Sequence, residues 1–316
     1  MINIRKCAII GCGNVGATSA YALMHSRLFS EIVLIDVNKE KAHGEAADLM
    51  HGVPFNAPMD IYAGDYSDIS DASLAIITAG ANQREGETRI DLVHRNVRVF
   101  SSIVDDIIRS GFSGILLVVT NPVDVLTYVT LARSAFPVNR VIGSGTVLDT
   151  ARLKQLVGDK LGVDSRNVHT FIIGEHGDSE VAVWSSANVS GVDLSCFCRD
   201  CAQNCDISAF GGIFENVRDA AYKIIAAKGA TYYAIAESVK KIASAIVRDE
   251  HTILPVSTLV DGHYGIEGVC MGLPCIVGRR GIEQVLEIPL NEDEESKLRA
   301  SARALKSVID ELEVKI

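Results

Sequence analysis

Four short runs of uninterrupted apolar residues constrain the fold more than any other feature of this chain. They are Ala8-Ile9-Ile10, Ile32-Val33-Leu34-Ile35, Leu74-Ala75-Ile76-Ile77-Thr78 and Ile115-Leu116-Leu117-Val118-Val119. A strand with one wet face alternates polar and apolar residues. These runs do not alternate, so they suit a parallel sheet covered on both faces. Between the last two, Ile90, Val93, Val97, Phe100, Val104 and Ile107 recur at helical spacing, and the pattern stops near Ser110-Gly111. Strand–helix–strand alternation of this kind predicts an α/β fold with a Rossmann-type doubly wound parallel sheet.

After Gly143 the pattern changes. Asp149 to Leu161 reads as a helix ended by Gly162, and Val168–Ile173 and Val181–Trp184 read as strands. A helix from Phe214 to Lys228 follows, then another through Ile235, Val239, Ile242 and Ile246. Thr252–Val260 and Cys275–Val277 look like strands. A last helix is capped by Asn291, with Glu292, Asp293, Glu294 and Glu295 in its first turn, where acids favour the helix dipole. Its apolar face is Leu298, Ala302, Leu305, Ile309 and Leu312. The expected organisation is a dinucleotide-binding domain over 1–143 and a mixed α+β substrate domain over 144–316.

The net charge of −10 argues against a nucleic-acid partner, which needs a basic face. An anionic substrate would therefore depend on locally placed arginines. No apolar run reaches the roughly 18 residues of a membrane span. Met1 to Lys6 runs into a β-like stretch with no leader-like cleavage site, so the expected compartment is the cytoplasm. Cys196, Cys198, Cys201 and Cys205 cluster, but no second Cys-x-x-Cys unit stands across a longer gap. A reduced surface segment is the expectation over a metal site.

Gly11-Cys12-Gly13-Asn14-Val15-Gly16 follows the first strand and opens a helix. Glycines at Gly11, Gly13 and Gly16 allow a tight turn, close approach of a pyrophosphate and helix–strand packing. Asp36 stands twenty residues after Gly16, at the end of the second strand. A carboxylate there accepts hydrogen bonds from a ribose and repels a 2′-phosphate, which favours NAD over NADP. Lys39 and Lys41 close behind it soften that repulsion, so some use of NADP stays open.

Gly174-Glu175-His176-Gly177-Asp178 puts a histidine on a glycine-flanked turn after an apolar strand. An imidazole with an aspartate partner suits proton transfer near neutral pH. Asp149 and Arg152 are three apart on one helix and share a face. One helix thus offers a carboxylate to orient the imidazole and a guanidinium to grip an acid.

Together, the segments GCGNVG, TAGANQREGETRIDLV, VTNPVDV, GSGTVLDTARL, IIGEHGDSEVAVWS and KGATYYAIA, in that order over nearly the whole chain, resemble the lactate/malate dehydrogenase family, and within it the bacterial lactate-forming members. The resemblance implies hydride exchange between NADH and a 2-oxo acid, here pyruvate with L-lactate as product, in a homotetramer. It implies that Gly11, Gly13, Asn14, Val15, Gly16, Asp36, Lys41, Tyr66, Gly80, Ala81, Ser102, Val119, Thr120, Asn121 and Ser144 serve the cofactor. Arg152 would clamp the substrate carboxylate bidentately, where arginine outperforms lysine. Gln83 and Arg89 would sit on a loop that closes over the substrate, and Asn121, Asp124 and Thr231 would line the pocket. His176 would give the keto oxygen its proton, with Asp149 orienting the ring and Arg89 polarising the carbonyl.

Two departures stand out. Many members carry proline where Glu85 stands. Members regulated by fructose 1,6-bisphosphate carry an arginine two residues after the substrate arginine and a histidine seven before the catalytic one; here those positions are Lys154 and His169. Lysine is the weaker phosphate fork. The rival activities are malate dehydrogenase, which has an arginine where Gln83 stands, and reduction of branched 2-oxo acids. A non-catalytic NAD-binding protein fits poorly with retention of Asp149, Arg152, His176 and Arg89.

Overall fold

The computed structural model describes residues 2–80, 89–200 and 210–312 of the 316, with backbone only at 89–92 and 200. The apolar runs become β1 (Asn3–Ile10), β2 (Glu31–Ile35), β4 (Ala72–Ile77) and β5 (Ile115–Val118). Two strands join them that the apolar pattern does not show, β3 (Asp60–Ala63) and β6 (Val141–Gly143). The parallel order is β3-β2-β1-β4-β5-β6. Ile9 pairs with Leu34 on one side and Ile76 on the other, and Ile76 with Leu117. All four are fully buried, as strands covered on both faces must be.

The sheet does not stop at Gly143. Short strands β7 (Val168–His169), β8 (Ile172–Ile173), β9 (Val181–Ala182), β10 (Asn188–Val189) and β11 (Val192–Asp193) form two small separate sheets. Then β12 (Thr252–Asp261), β13 (Glu267–Gly278) and β14 (Gly281–Val285) extend the large sheet antiparallel, with Ser257 of β12 paired to Gly143 of β6. A Cβ at Gly143 would stand 2.4 Å from Thr127 Oγ1, so only glycine allows this join. The sequence pattern marks only the end of β13, because Gly268, Gly272 and Pro274 interrupt it. Pro274 faces Pro255 across the ladder, so both missing N–H donors fall at one pair.

Helices cover both faces. Helices α1 (Asn14–Ser26), α2 (Lys39–Gly52), α3 (Arg89–Arg109) and α4 (Val123–Ser134) belong to the first half. Helices α5 (Val147–Leu161), α6 (Leu194–Asp200), α7 (Phe210–Lys228), α8 (Tyr233–Arg248) and α9 (Glu292–Glu311) belong to the second. On one face Phe100 and Ile107 of α3, Leu126 of α4 and Leu298 and Leu305 of α9 share a core; on the other Leu23 of α1 packs with Val239, Ile242 and Ile246 of α8. A third cluster, including Leu153, Val157, Val168, Ile172 and Val217, belongs to the second half alone.

Helix α9 begins as its sequence suggests. Asn291 accepts the Glu294 N–H at 2.9 Å, and Glu294 accepts the Asn291 N–H at 3.1 Å, a reciprocal cap. Glu294 also accepts the N–H groups of Trp184 and Ser185 at 2.8 and 2.9 Å, tying the helix to the end of β9. The cysteine segment departs from its expectation: Cys196 is a free thiol, whereas Cys198 is disulfide-bonded. Cys201 and Cys205 lie outside the described residues. Among the described residues no helix is long and apolar enough to cross a membrane.

Candidate active site

The glycine turn forms at the carboxyl end of β1. Gly11 has φ +104°, and a Cβ there would meet the Ala79 nitrogen at 2.5 Å. At Gly16 a Cβ would meet the Gly11 oxygen at 1.9 Å, so this glycine lets α1 press against the turn. At Gly13 a Cβ would meet nothing within 4 Å among the described residues, leaving the mouth of the turn open. Gly13 is also the N-cap of α1 and supplies no side-chain cap. Exposed Gly13 and Asn14 and half-buried Val15 thus present unsatisfied helix N–H groups to an open space, which suits a pyrophosphate.

Asp36 closes the other side of the turn. Its carboxylate accepts the N–H of Cys12 at 2.6 Å and of Asn38 at 2.8 Å and stays half-exposed. Each oxygen keeps a free lone-pair direction for a ribose hydroxyl. Lys39 is turned away, its Nζ 2.9 Å from Asp65. Lys41 is exposed on the first turn of α2.

The next group of cofactor candidates gathers at the ends of β4, β5 and β6. Gly80 packs on Thr120, whose methyl group would lie 2.4 Å from an added Cβ. Thr120 donates its hydroxyl to the Ala79 carbonyl at 2.9 Å, and Ser144 donates its N–H to Val118 at 2.8 Å. Val119 and Ser144 are buried and Asn121 is exposed. Asn121 precedes a cis proline, and its carbonyl accepts the Asn96 side chain at 3.3 Å. Ser102 is exposed on α3. Tyr66 is half-buried against the apolar core, and burial first, then the charge of Asp106, push its hydroxyl up to about 12.

The proton-handling groups come from α5 and the turn after β8. Asp149 and Arg152 are on α5, and Arg152 donates to Asp149 Oδ1 at 2.8 Å. His176 follows β8, where Gly174 at φ +93° bridges Gly272 of β13 by hydrogen bonds of 2.9 and 2.8 Å. The turn is pinned twice more: the Glu175 N–H donates to Ser301 Oγ at 2.9 Å and the His176 N–H to Asp124 Oδ2 at 2.7 Å. The ring then meets Asp149, His176 Nδ1 lying 2.5 Å from Oδ2. Asp149 is therefore a bridge, with one oxygen on the imidazole and the other on the guanidinium. Nε2 is the ring nitrogen left for a substrate.

Burial is the largest single influence on both groups, and the surrounding charges together reverse it. Desolvation would lower the His176 pKa, but the carboxylates around it, Asp149 first and then Asp124 and Glu180, together outweigh it and raise it to about 9. Desolvation would raise Asp149, and His176 and Arg152 hold it below the usual carboxylate range. Arg152 and Thr231 line one cavity of about 660 Å³ between α5 and α7, together with Leu156, Asn216, Ile224 and Tyr232.

Not every candidate falls here. Asp124 is 1% exposed and serves the main chain of His176, so it positions the turn instead of lining the pocket; burial pushes its carboxyl up to about 6. Lys154 and His169 share a second cavity of about 650 Å³ with Glu237 and Lys241. Ala81 and Gln83 lie outside the described residues, and Arg89 is described only as the first backbone position of α3. Sequence reasoning passed over Glu180, a buried acid four residues after His176. Its only signal was its place in the catalytic segment.

Comparison with known proteins agrees with this geometry. Residues 5–143 match the lactate/malate dehydrogenase NAD binding domain, and residues 146–315 the lactate/malate dehydrogenase alpha/beta C-terminal domain. The chain belongs to the lactate/malate dehydrogenase family. It is similar to an L-lactate dehydrogenase of Acetivibrio thermocellus, 54% identical over 98% of each chain. It is also similar to L-lactate dehydrogenase 1 of Clostridium acetobutylicum, 49% identical over 97% of this chain and 98% of that one. Two solved structures superpose over almost the full length. One is a lactate dehydrogenase from a Medee basin deep-sea metagenome library, with TM-score 0.96, 46% identity and coverage of 99% and 100%. The other is the ligand-bound minor L-lactate dehydrogenase of Enterococcus mundtii, with TM-score 0.95, 42% identity and coverage of 97% and 98%. As a member of the lactate/malate dehydrogenase family the chain is an NAD-dependent oxidoreductase acting on a small-molecule substrate, and its first half is the NAD-binding part.

Proposed function

We propose that this enzyme is an L-lactate dehydrogenase interconverting pyruvate and L-lactate. The observation that carries the reading is the Asp149 bridge, which couples a proton-carrying imidazole to a carboxylate-binding guanidinium in one rigid unit. Residues 1–143 form the cofactor domain and residues 144–316 the substrate domain, with Asn121, Gln83 and Arg89 of the first reaching the substrate. Bound NADH supplies a hydride to the keto carbon. Arg152 grips the pyruvate carboxylate with the N–H groups that Asp149 does not use. His176, charged in the empty site, gives its Nε2 proton to the keto oxygen as that oxygen becomes a hydroxyl. Asp149 holds Nδ1–H, fixing the tautomer and stabilising the charged ring. Thr231 and Asn121 border the substrate, and Arg89 polarises its carbonyl. In the reverse direction neutral His176 takes the hydroxyl proton.

Substrate choice rests on charge. Arg152 accounts for one carboxylate, and pyruvate has only one. Oxaloacetate brings a second, and Gln83 offers an uncharged amide where malate-forming relatives have arginine. Stripping water from an anion without a counter-charge is costly. NADH oxidation measured side by side with pyruvate, oxaloacetate and 2-oxoisocaproate is the direct test, and pyruvate is expected to give the highest kcat/KM. Gln83→Arg is expected to swing the pyruvate-to-oxaloacetate ratio by at least about two orders of magnitude, because a mismatched charge in a closed site costs several kcal/mol. Equal use of both acids by the unaltered enzyme, or an unmoved ratio in the variant, would overturn the lactate reading.

Cofactor choice rests on Asp36. Asp36→Ser removes the charge that repels a 2′-phosphate, so the kcat/KM ratio of NADH to NADPH should fall by about tenfold or more. Equal use of the two by the unaltered enzyme would remove Asp36 from that role.

The enzyme is further proposed to be a cytoplasmic homotetramer working at the end of glycolytic fermentation, its mass measurable by light scattering. Lys154 and His169, brought into one cavity, are proposed to bind fructose 1,6-bisphosphate. The ligand should lower the apparent pyruvate KM by a coupling of ~1–3 kcal/mol. Saturation curves unchanged at millimolar ligand would show an unregulated enzyme.

A further inference from the structure

Glu180 stands just before β9, 7% exposed, with its N–H on the Gly177 carbonyl at 3.3 Å. Its Oε1 is enclosed and, among the described residues, has no hydrogen-bond partner. A carboxyl oxygen of Glu180, one of Asp149 and a ring nitrogen of His176 all lie within 4.8 Å of one another. An ionised carboxylate in this position would lose its water without replacement and would face a second negative charge. A protonated acid suffers neither. The charged groups that act on it are Asp149 and Arg152 from α5, His176 from the turn and Arg218 from α7; Asp124 of α4 acts on His176 as well.

We propose that Glu180 is a positioning residue for this reaction: it keeps a proton beside the Asp149–His176 pair at neutral pH, and when it releases that proton to solvent it strengthens the hold of His176 on its own. The role rests on His176 being the proton carrier, since Glu180 acts only through it. Burial, then the nearness of Asp149, pushes the Glu180 carboxyl up to about 8, so it ionises in the same range as the imidazole. Pyruvate reduction needs the imidazolium. A negative Glu180 therefore extends that direction to higher pH, and lactate oxidation gains correspondingly less from the rise.

The variant Glu180→Gln keeps the shape and removes the charge. The alkaline limb of kcat/KM for pyruvate should move to lower pH by about half to one unit. Glu180→Asp, which keeps an ionisable group, should restore part of the shift. In selectively labelled, substrate-free enzyme, NMR titration should show the Glu180 carboxyl still protonated at pH 7 and the His176 ring titrating lower in Glu180→Gln. A Glu180 that is ionised at pH 6 in the unaltered enzyme overturns the proposal, even should the glutamine variant fail to fold. So does an alkaline limb that the glutamine variant leaves in place. Absence of pyruvate reduction in the unaltered enzyme would instead refute the assigned reaction, and the NMR titration would still decide the charge state of Glu180.

Discussion

Replacing His176 with alanine is expected to lower kcat for pyruvate reduction by about 10²–10⁴-fold while leaving NADH binding in place. The imidazole is held by Asp149 through Nδ1, whereas the cofactor's open turn at Gly13 and the Asp36 carboxylate are built from other elements. Removing the ring therefore deletes the proton donor and leaves the cradle untouched. Fluorescence titration with NADH separates the two effects from steady-state kinetics. The pH dependence follows the same group. His176 is raised to about 9, so pyruvate reduction should hold its rate through neutrality and fall as pH rises through that value. Lactate oxidation, which needs the neutral ring, should rise over the same interval. Near-normal turnover of His176→Ala would remove the residue from the mechanism.

The sheet was legible because its central strands are buried on both faces, and that condition writes itself as unbroken apolar runs. Strands that break the condition were not. β6 is only Val141–Gly143 and relies on a glycine to join β12, and β13 carries two glycines and a proline inside its length. Pairing to neighbours, not local propensity, makes these segments strands. That β12 to β14 continue the sheet of the first half is therefore something the strand pattern does not show. At the site, Asp149, Arg152 and His176 were readable from helix spacing and a glycine-flanked turn. The pairing of Asp149 with the imidazole was expected too, but not that the same carboxylate also holds Arg152, nor that the turn is set by Gly174 pairing with Gly272 almost a hundred residues away in sequence. Asp124 and Glu180 show the same limit from the other side. Sequence gives the acid, but only the fold shows that one is spent on a main-chain N–H and that the other has an enclosed oxygen with no partner among the described residues.

The bridge makes Asp149→Asn the most informative single change. Asp149 accepts from two donors at once, the imidazole Nδ1–H and the guanidinium of Arg152. An asparagine has one oxygen and one amino group, so it can accept from only one of them. If the oxygen faces Arg152, the amino group donates to Nδ1 and forces the proton onto Nε2 of a neutral ring. If the oxygen faces His176, two donors confront each other beside the substrate carboxylate. In both arrangements the charge that does most to raise His176 is gone, and burial lowers it against only the weaker pull of Asp124 and Glu180. Pyruvate reduction at pH 7 should fall by about 10²–10⁴-fold, the range of a lost general acid, with NADH affinity kept. Stability should change with a definite pH signature. His176 has a raised pKa in the folded state, so its contribution is complete below about 6.5 and is lost as pH rises through about 9. Asp149 has a lowered one, so its contribution is present above about 4 and is lost as pH falls below that. The pair therefore stabilises most between about pH 4 and 6.5. The variant should lose on the order of 3 kcal/mol there, the scale of breaking a buried pair, and progressively less toward pH 9. Urea unfolding of both proteins from pH 5 to 9 measures it. A stability difference that stays constant with pH, or a variant that reduces pyruvate at nearly the original rate, would mean that Asp149 neither charges nor orients the imidazole.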